Sequence, residues 1–440
     1  MNSSSFRPFT ILLIGQAISL FGSSLTGFAL GVWAYHQVGS VTIYSLIALA
    51  NILPIVLLSP LAGAVVDKMS RKKIIIVAQI AAILITGTLA LLYWSGVLKP
   101  WHVIGLVALN SCFNAFVLPA VSATVPLMVQ KSNLTRANGM IALAFGLIEL
   151  ITPALAGTLY TQVGMEVVFI VDIVTFLIGI TVLLFIMIPQ PKFKSVEEEL
   201  RTKSQSLFES IAEGWHYLKS EPSLLAMIGF YSAVAATLVA IGIMVQPMIL
   251  GFTDAQHMGF IMSFAATGVL VGSSLMIILK NIETHMPIIL IVTLIVGVGC
   301  IFTPIFTTPW IIAFGGFVMM CCFPIFDTNN RALFQRKVEA TKLGRVVGLR
   351  NFCLGLAQSI MLMVAGPLAD GVFEPAMQEG GFLVPYFADI YGVGQGRGIA
   401  VMISILGCIM TFLVICAFMV KRIRKIDTLI EDAESLVIEA

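Results

Sequence analysis

Apolar residues along this chain fall into about twelve long blocks, with short polar stretches between them. The blocks begin near Phe9, Thr42, Ile74, Trp101, Gly139, Val167, Ser223, Gln256, Pro287, Pro309, Val346 and Gly398. A helix that crosses a bilayer needs roughly 20 mostly apolar residues. The alternating short segments of a membrane barrel are absent, so the pattern predicts an all-α membrane protein with twelve transmembrane helices. The first block is too long for a cleavable leader, and no small-residue cleavage site follows it, so it is expected to persist as the first span. Composition agrees with the pattern. The 440 residues are 58% hydrophobic and 11% charged, with a mean hydropathy of +1.00. An ordinary soluble domain is about 25% charged.

Charge then orients the spans. When the 25 Lys and Arg residues are allotted to alternating connections, all but Lys99 and Arg397 fall on one side. Positive residues stay cytoplasmic, which predicts a multi-pass cytoplasmic-membrane protein with both termini inside. On this allotment no Lys or Arg lies deep in a span. The seven cysteines all sit inside apolar blocks, with neither a disulfide framework nor zinc-ligand spacing. They are expected to be small core residues.

Two segments are related by one constant offset. In "GMIALAFGLIELITPALAGTL", Gly139, Gly146, Ala156, Gly157 and Leu159 match Gly348, Gly355, Ala365, Gly366 and Leu368 of "GLRNFCLGLAQSIMLMVAGPL". The same offset carries Gly63 onto Gly272, which implies a duplicated six-helix unit. The expected organisation is a bundle over 1–189, a cytoplasmic linker over 190–222, a second bundle over 223–420 and a tail over 421–440. Within the linker, Leu207, Ile211, Trp215 and Leu218 recur at helical spacing, with Glu209, Glu213, His216 and Lys219 on other faces. That pattern predicts an amphipathic interfacial helix.

Intramembrane acids stand out in so apolar a chain. Glu149 lies near the middle of the fifth span, and holding it charged there costs roughly 2.5–3.5 kcal/mol or more. A carboxyl that exchanges a proton as access alternates is what a proton-coupled carrier needs. A neutral packing carboxyl is the competing reading. The repeat places Gln358 at the equivalent point of the eleventh span. Asp172 lies inside the sixth span, with structural and proton-handling roles both open. Asp327 has Arg331 one turn away, the spacing of a helical ion pair. Gln16, Ser19, Ser23 and Thr26 form a polar stripe on the first span, opposite Ile14, Ile18, Phe21, Leu25 and Phe28. Asn110 and Asn114 are one turn apart on the fourth span, and Tyr231 and Gln246 lie on the seventh. Such residues face protein or water, not lipid. Either a substrate cavity or hydrogen bonding between helices accounts for them. No Walker loop, metal-ligand cluster or nucleophile–base motif is present, so no enzyme activity, cofactor or metal is expected, and any transport would be driven by an ion gradient or by the substrate's own gradient.

The sequence "GAVVDKMSRKK", Gly63 to Lys73, resembles the signature of the connection between the second and third spans in the major facilitator superfamily. Parallel repeats are also a mark of that architecture. The resemblance implies two six-helix bundles and a gating latch, whose roles fall on Gly63, Asp67 and Arg71, with Arg331 a further gating candidate. The signature usually has Gly where Ser70 stands. "TPALAG", Thr152 to Gly157, resembles the fifth-helix element of drug and proton antiporters, carried here by Pro153, Ala156 and Gly157. "GQAISLFGSSLTGFAL", "LPAVSATVPLMV", "LGRVVGL" and "EGWHYLKSEPSL" resemble the drug:proton antiporter group that holds the macrolide efflux proteins and the enterobactin exporter. One departure is Asn110, which replaces an arginine that many of those relatives carry. The resemblance further implies a cavity lined by the first, fourth, seventh and tenth spans, an amphipathic organic substrate, and exchange for protons. Rival readings are a dedicated siderophore or peptide-metabolite exporter, a lipid translocase, and a transporter-like receptor. The expected partners are the substrate, protons and the lipid bilayer, with no nucleic acid, and the chain is expected to act as a monomer.

Overall fold

The computed structural model describes residues 6–186, 188, 207–279 and 284–429. Among them are twelve helices long and apolar enough to cross a membrane. The first six are α1 (Arg7–Val38), α2 (Val41–Lys68), α3 (Arg71–Trp94), α4 (Pro100–Met128), α5 (Leu134–Gln162) and α6 (Met165–Phe185). A shorter helix, α7 (Leu207–Ser220), precedes α8 (Pro222–Leu250), α9 (Ala255–Ile278), α10 (Met286–Phe302), α11 (Pro309–Lys337) and α12 (Ala340–Leu368). The eight-residue α13 (Val384–Tyr391) and the last span, α14 (Arg397–Met419), follow. α7 is the helix that the linker periodicity predicts, while 190–206 lies outside the described residues.

Local chemistry sets the helix boundaries. Proline occupies the first turn of α1, α4, α8, α10 and α11, where its missing N–H costs nothing. Ser40 caps α2, its hydroxyl accepting from the Ile43 amide at 3.3 Å. Gly39 closes α1 in the left-handed region at φ 65°, a conformation that a side chain disfavours.

Contacts divide the chain into two units, Met1–Thr202 with Thr253–Ser263, and Lys203–Phe252 with Phe264–Ala440. In the first unit α1 packs on α5 and α6, α3 on α4 and α6, and α2 on α4. In the second, α8 packs on α12 and α14, and α10 on α11 and α14. α9 meets α11 through Gly268 and Gly272, where an added Cβ would strike the Phe317 and Cys321 backbone. The pairing scheme is thus the same in both units, with α8 to α12 and α14 taking the places of α1 to α6. Gly272 makes the close approach expected of a repeated small residue.

The first unit holds two apolar clusters. One gathers Phe9, Leu12, Ile75, Ala120, Val125 and Leu183. The other gathers Leu25, Trp33, Leu89, Val103, Ala156 and Phe169. Large apolar side chains such as Leu84, Leu91 and Phe185 remain exposed on the outer faces, which is the distribution expected where lipid is the solvent.

Candidate functional site

Between the two apolar clusters, α1, α3 and α6 enclose a polar core. Asp172 is 2% exposed, and its Oδ2 accepts from the Thr86 hydroxyl at 3.0 Å. Ser19 donates to the Thr175 carbonyl at 3.2 Å, and Thr175 donates to the Asp172 carbonyl at 2.7 Å. Gln79 Nε2 lies 3.5 Å from the Ser19 hydroxyl. Small residues make the approach possible: a Cβ at Gly22 would collide with Thr175, and one at Gly179 with Ser19. Ser23 donates back to the Ser19 carbonyl at 3.1 Å. For Ser19, therefore, hydrogen bonding between helices accounts for the polar stripe, because its hydroxyl is spent on α6. Gln16 is half-buried. On α4, Asn110 is half-buried and Asn114 exposed.

Glu149 sits midway along α5 and is exposed. Among the described residues it makes no ion pair, in contrast to Asp327. Pro153 lies four residues on and lacks the N–H that would serve the Glu149 carbonyl. The next amide, Ala154, donates to the Ser263 hydroxyl at 3.0 Å. Here α5 is in close contact with the start of α9. A Cβ at Gly259 would strike the Pro153 carbonyl, and one at Gly157 the Ala255 carbonyl. These two contacts run antiparallel in steps of four residues, so Glu149 stands level with Ser263. The TPALAG segment thus packs closely against α9, with a carboxyl that makes no ion pair among the described residues one turn away. Ser263 escapes sequence reasoning because a lone serine in an apolar run carries no signal. Its spacing after Ala255 and Gly259, small residues every fourth position, is the trace that marks it.

The basic turn does local work. Arg71 is buried and donates to the Ala123 carbonyl of α4 at 2.7 Å. Lys72 donates to the Leu184 and Ile186 carbonyls at 3.1 and 2.9 Å, closing the end of α6, where carbonyls lack helical partners. Among the described residues no atom lies within 4 Å of a Cβ at Gly63. The Asp67 side chain lies outside the described residues.

A charged cluster lies toward the C-terminal end of α11 in the second unit. Asp327 Oδ2 accepts from Arg331 Nε at 2.7 Å, the ion pair that the spacing predicts. Asp327 Oδ1 accepts from the Tyr231 hydroxyl at 3.3 Å. The Tyr231 ring stacks on Phe326, with centroids 5.3 Å apart. Behind this pair is Arg350, 4% exposed, its guanidinium 5.3 Å from the Tyr231 ring and 5.1 Å from Phe334. This corrects the allotment of all cations to the connections. α12 begins at Ala340 and carries Arg350 inward, where two aromatic faces replace part of its hydration. Arg397 is likewise buried, at the start of α14. Gln246 and Gln358 are half-buried, so the counterpart of Glu149 is an uncharged amide.

The sequence profile of the Major Facilitator Superfamily matches residues 12–362. The chain belongs to that superfamily. Major facilitator proteins are transporters and not enzymes, and this chain is a multi-pass membrane transporter. It is 23% identical over 374 residues to macrolide efflux protein A of Streptococcus pyogenes, covering 83% of this chain and 90% of that protein. The corresponding protein of Enterococcus faecalis is 23% identical over 333 residues, 74% of this chain and 100% of that one. An uncharacterised major facilitator transporter of Bacillus subtilis, YfiS, is 25% identical over 373 residues, 82% of this chain and 86% of that protein. Among solved structures, the nucleoside transporter NupG superimposes with a TM-score of 0.66 at 12% identity, covering 93% of this chain and 99% of that one. A POT family transporter does so with 0.67 at 12% identity, covering 94% and 96%. At such identities these structures share the fold.

Proposed function

We propose that this major facilitator protein is a secondary active exporter of amphipathic small molecules, exchanging them for protons by alternating access. It works in the cytoplasmic membrane with both termini inside. The observation that carries the reading is Glu149. Asp327 is already paired with Arg331 at 2.7 Å, and Asp172 is buried, with one carboxylate oxygen bonded to the Thr86 hydroxyl. Glu149 alone of the three is exposed with no counter-ion among the described residues, one turn before Pro153. A carboxyl so placed is expensive to keep charged, and so it exchanges its proton when access to water changes.

The macrolide efflux relatives support export of a bulky amphipathic compound. The amides of Gln16, Asn110, Asn114, Gln246 and Gln358 supply polar contacts suited to such a substrate. A test uses proteoliposomes with an imposed pH gradient and a panel of macrolides, other lipophilic drugs and siderophores. At least one macrolide-like compound should accumulate uphill and drive proton flux in the opposite direction. Uphill movement of a siderophore alone would point to a dedicated exporter. Accumulation with no proton flux would end the antiport reading.

A further inference from the structure

The two units differ most in one connection. α5 ends at Gln162 and α6 begins at Met165, whereas their counterparts α12 and α14 end and begin at Leu368 and Arg397. The inserted segment carries α13, on the membrane face opposite the chain termini. Its two sides are unlike. Leu383, Val384, Phe387, Ala388 and Tyr391 are half-buried, with Phe387 and Tyr391 edge to face at 6.2 Å. On the opposite side Tyr386 and Ile390 are one turn apart and 77% and 50% exposed, and Phe382, in the turn that leads into the helix, is 64% exposed. Water is a poor solvent for such a row, and large apolar side chains aligned on a short surface helix need a partner.

We infer that α13 is a monotopic helix, its Tyr386 and Ile390 side inserted, together with Phe382 of the preceding turn, into the lipid interface at that membrane surface. Continuity with the lipid-facing belt selects lipid as the occupant. α13 packs on the turn Thr303–Ile305 and on α14. That turn is flanked by Phe302, Phe306 and Trp310, which are exposed at the adjoining ends of the spanning helices α10 and α11. Aromatic residues at this level are the usual anchors between acyl chains and headgroups. The segment from 369 to 396 contains Asp370, Glu374, Glu379 and Asp389 and no Lys or Arg. Attraction to anionic headgroups therefore contributes nothing, and neutral lipid suffices. The Glu374 carboxylate fastens the insertion in place, accepting from the Gly396 and Ile399 amides at 3.1 and 2.8 Å at the start of α14.

The test places the photoreactive residue p-benzoylphenylalanine singly at 382, 386, 390 and 388 of the full chain. The protein is reconstituted in phosphatidylcholine alone or with added phosphatidylglycerol. Lipid adducts are expected by mass spectrometry at the first three positions and not at 388, with yields unchanged by the anionic lipid. The double change Phe382→Asn and Ile390→Asn should lower the adduct yield at 386. Absence of lipid adducts at 386, equal yields at 388, or dependence on phosphatidylglycerol would each overturn the inference. So would cross-linking to a polypeptide instead of lipid in native membranes.

Discussion

Glu149, Asp172 and Asp327 lie well inside the spans, away from the first turns, and their surroundings separate them. Among the described residues Glu149 has no counter-ion, Asp172 has the Thr86 hydroxyl, and Asp327 has Arg331. Replacing Glu149 with Gln should abolish uphill accumulation while leaving substrate exchange between the two sides measurable in proteoliposomes. Wild-type uphill transport by that variant would reduce Glu149 to a packing residue. Asp172 makes a different prediction. Asp172→Ala leaves Thr86 without its acceptor and should lower stability by about 1–3 kcal/mol. Asp172→Asn keeps an acceptor and should cost less, as thermal unfolding in detergent can measure. The intramembrane acids and the Asp327–Arg331 pair are legible in the sequence, since charge in an apolar run is conspicuous and i,i+4 spacing is local. The hydrogen-bonded group of Ser19, Thr86, Asp172 and Thr175 is not, because its members come from three separate helices.

At the scale of elements, the proline and small residues of α5 and the small faces of α9 govern how close helices come. Ala255, Gly259 and Ser263 face α5, while Gly268 and Gly272 face α11. Gly157→Leu should be disruptive, since the added side chain meets the Ala255 backbone, which cannot move aside as a flexible side chain would. A loss of about 1–3 kcal/mol is expected from overpacking, read as a lowered unfolding temperature. Gly63→Ala should be close to neutral for stability in the same assay, because no described atom lies near its Cβ position. Its effect should fall on transport rate if the turn latches in another conformation. The proline and the small residues are visible in the sequence. Which neighbour each small residue admits depends on packing alone.

At the scale of the whole molecule, the side of the membrane on which each connection lies is the open quantity. Cysteines introduced at Ser70 and Ser204 should react only with reagents that reach the cytoplasm, and one at Gln378 should label from outside. External labelling at Ser204 would overturn the charge-based orientation. By itself the sequence determined the number of spans, their all-helical character and the duplicated unit. Hydrophobic runs, the obligation to satisfy backbone hydrogen bonds inside the helix, and a constant repeat offset are properties of the chain read in order. Only the tertiary structure decided which polar residues are consumed within a bundle. Ser19 is bound to α6, Arg71 to a carbonyl of α4, and Arg350 lies between two aromatic rings inside a span. Each of these depends on distances between helices far apart in sequence, where the low dielectric of the interior makes the partner a side chain finds decisive.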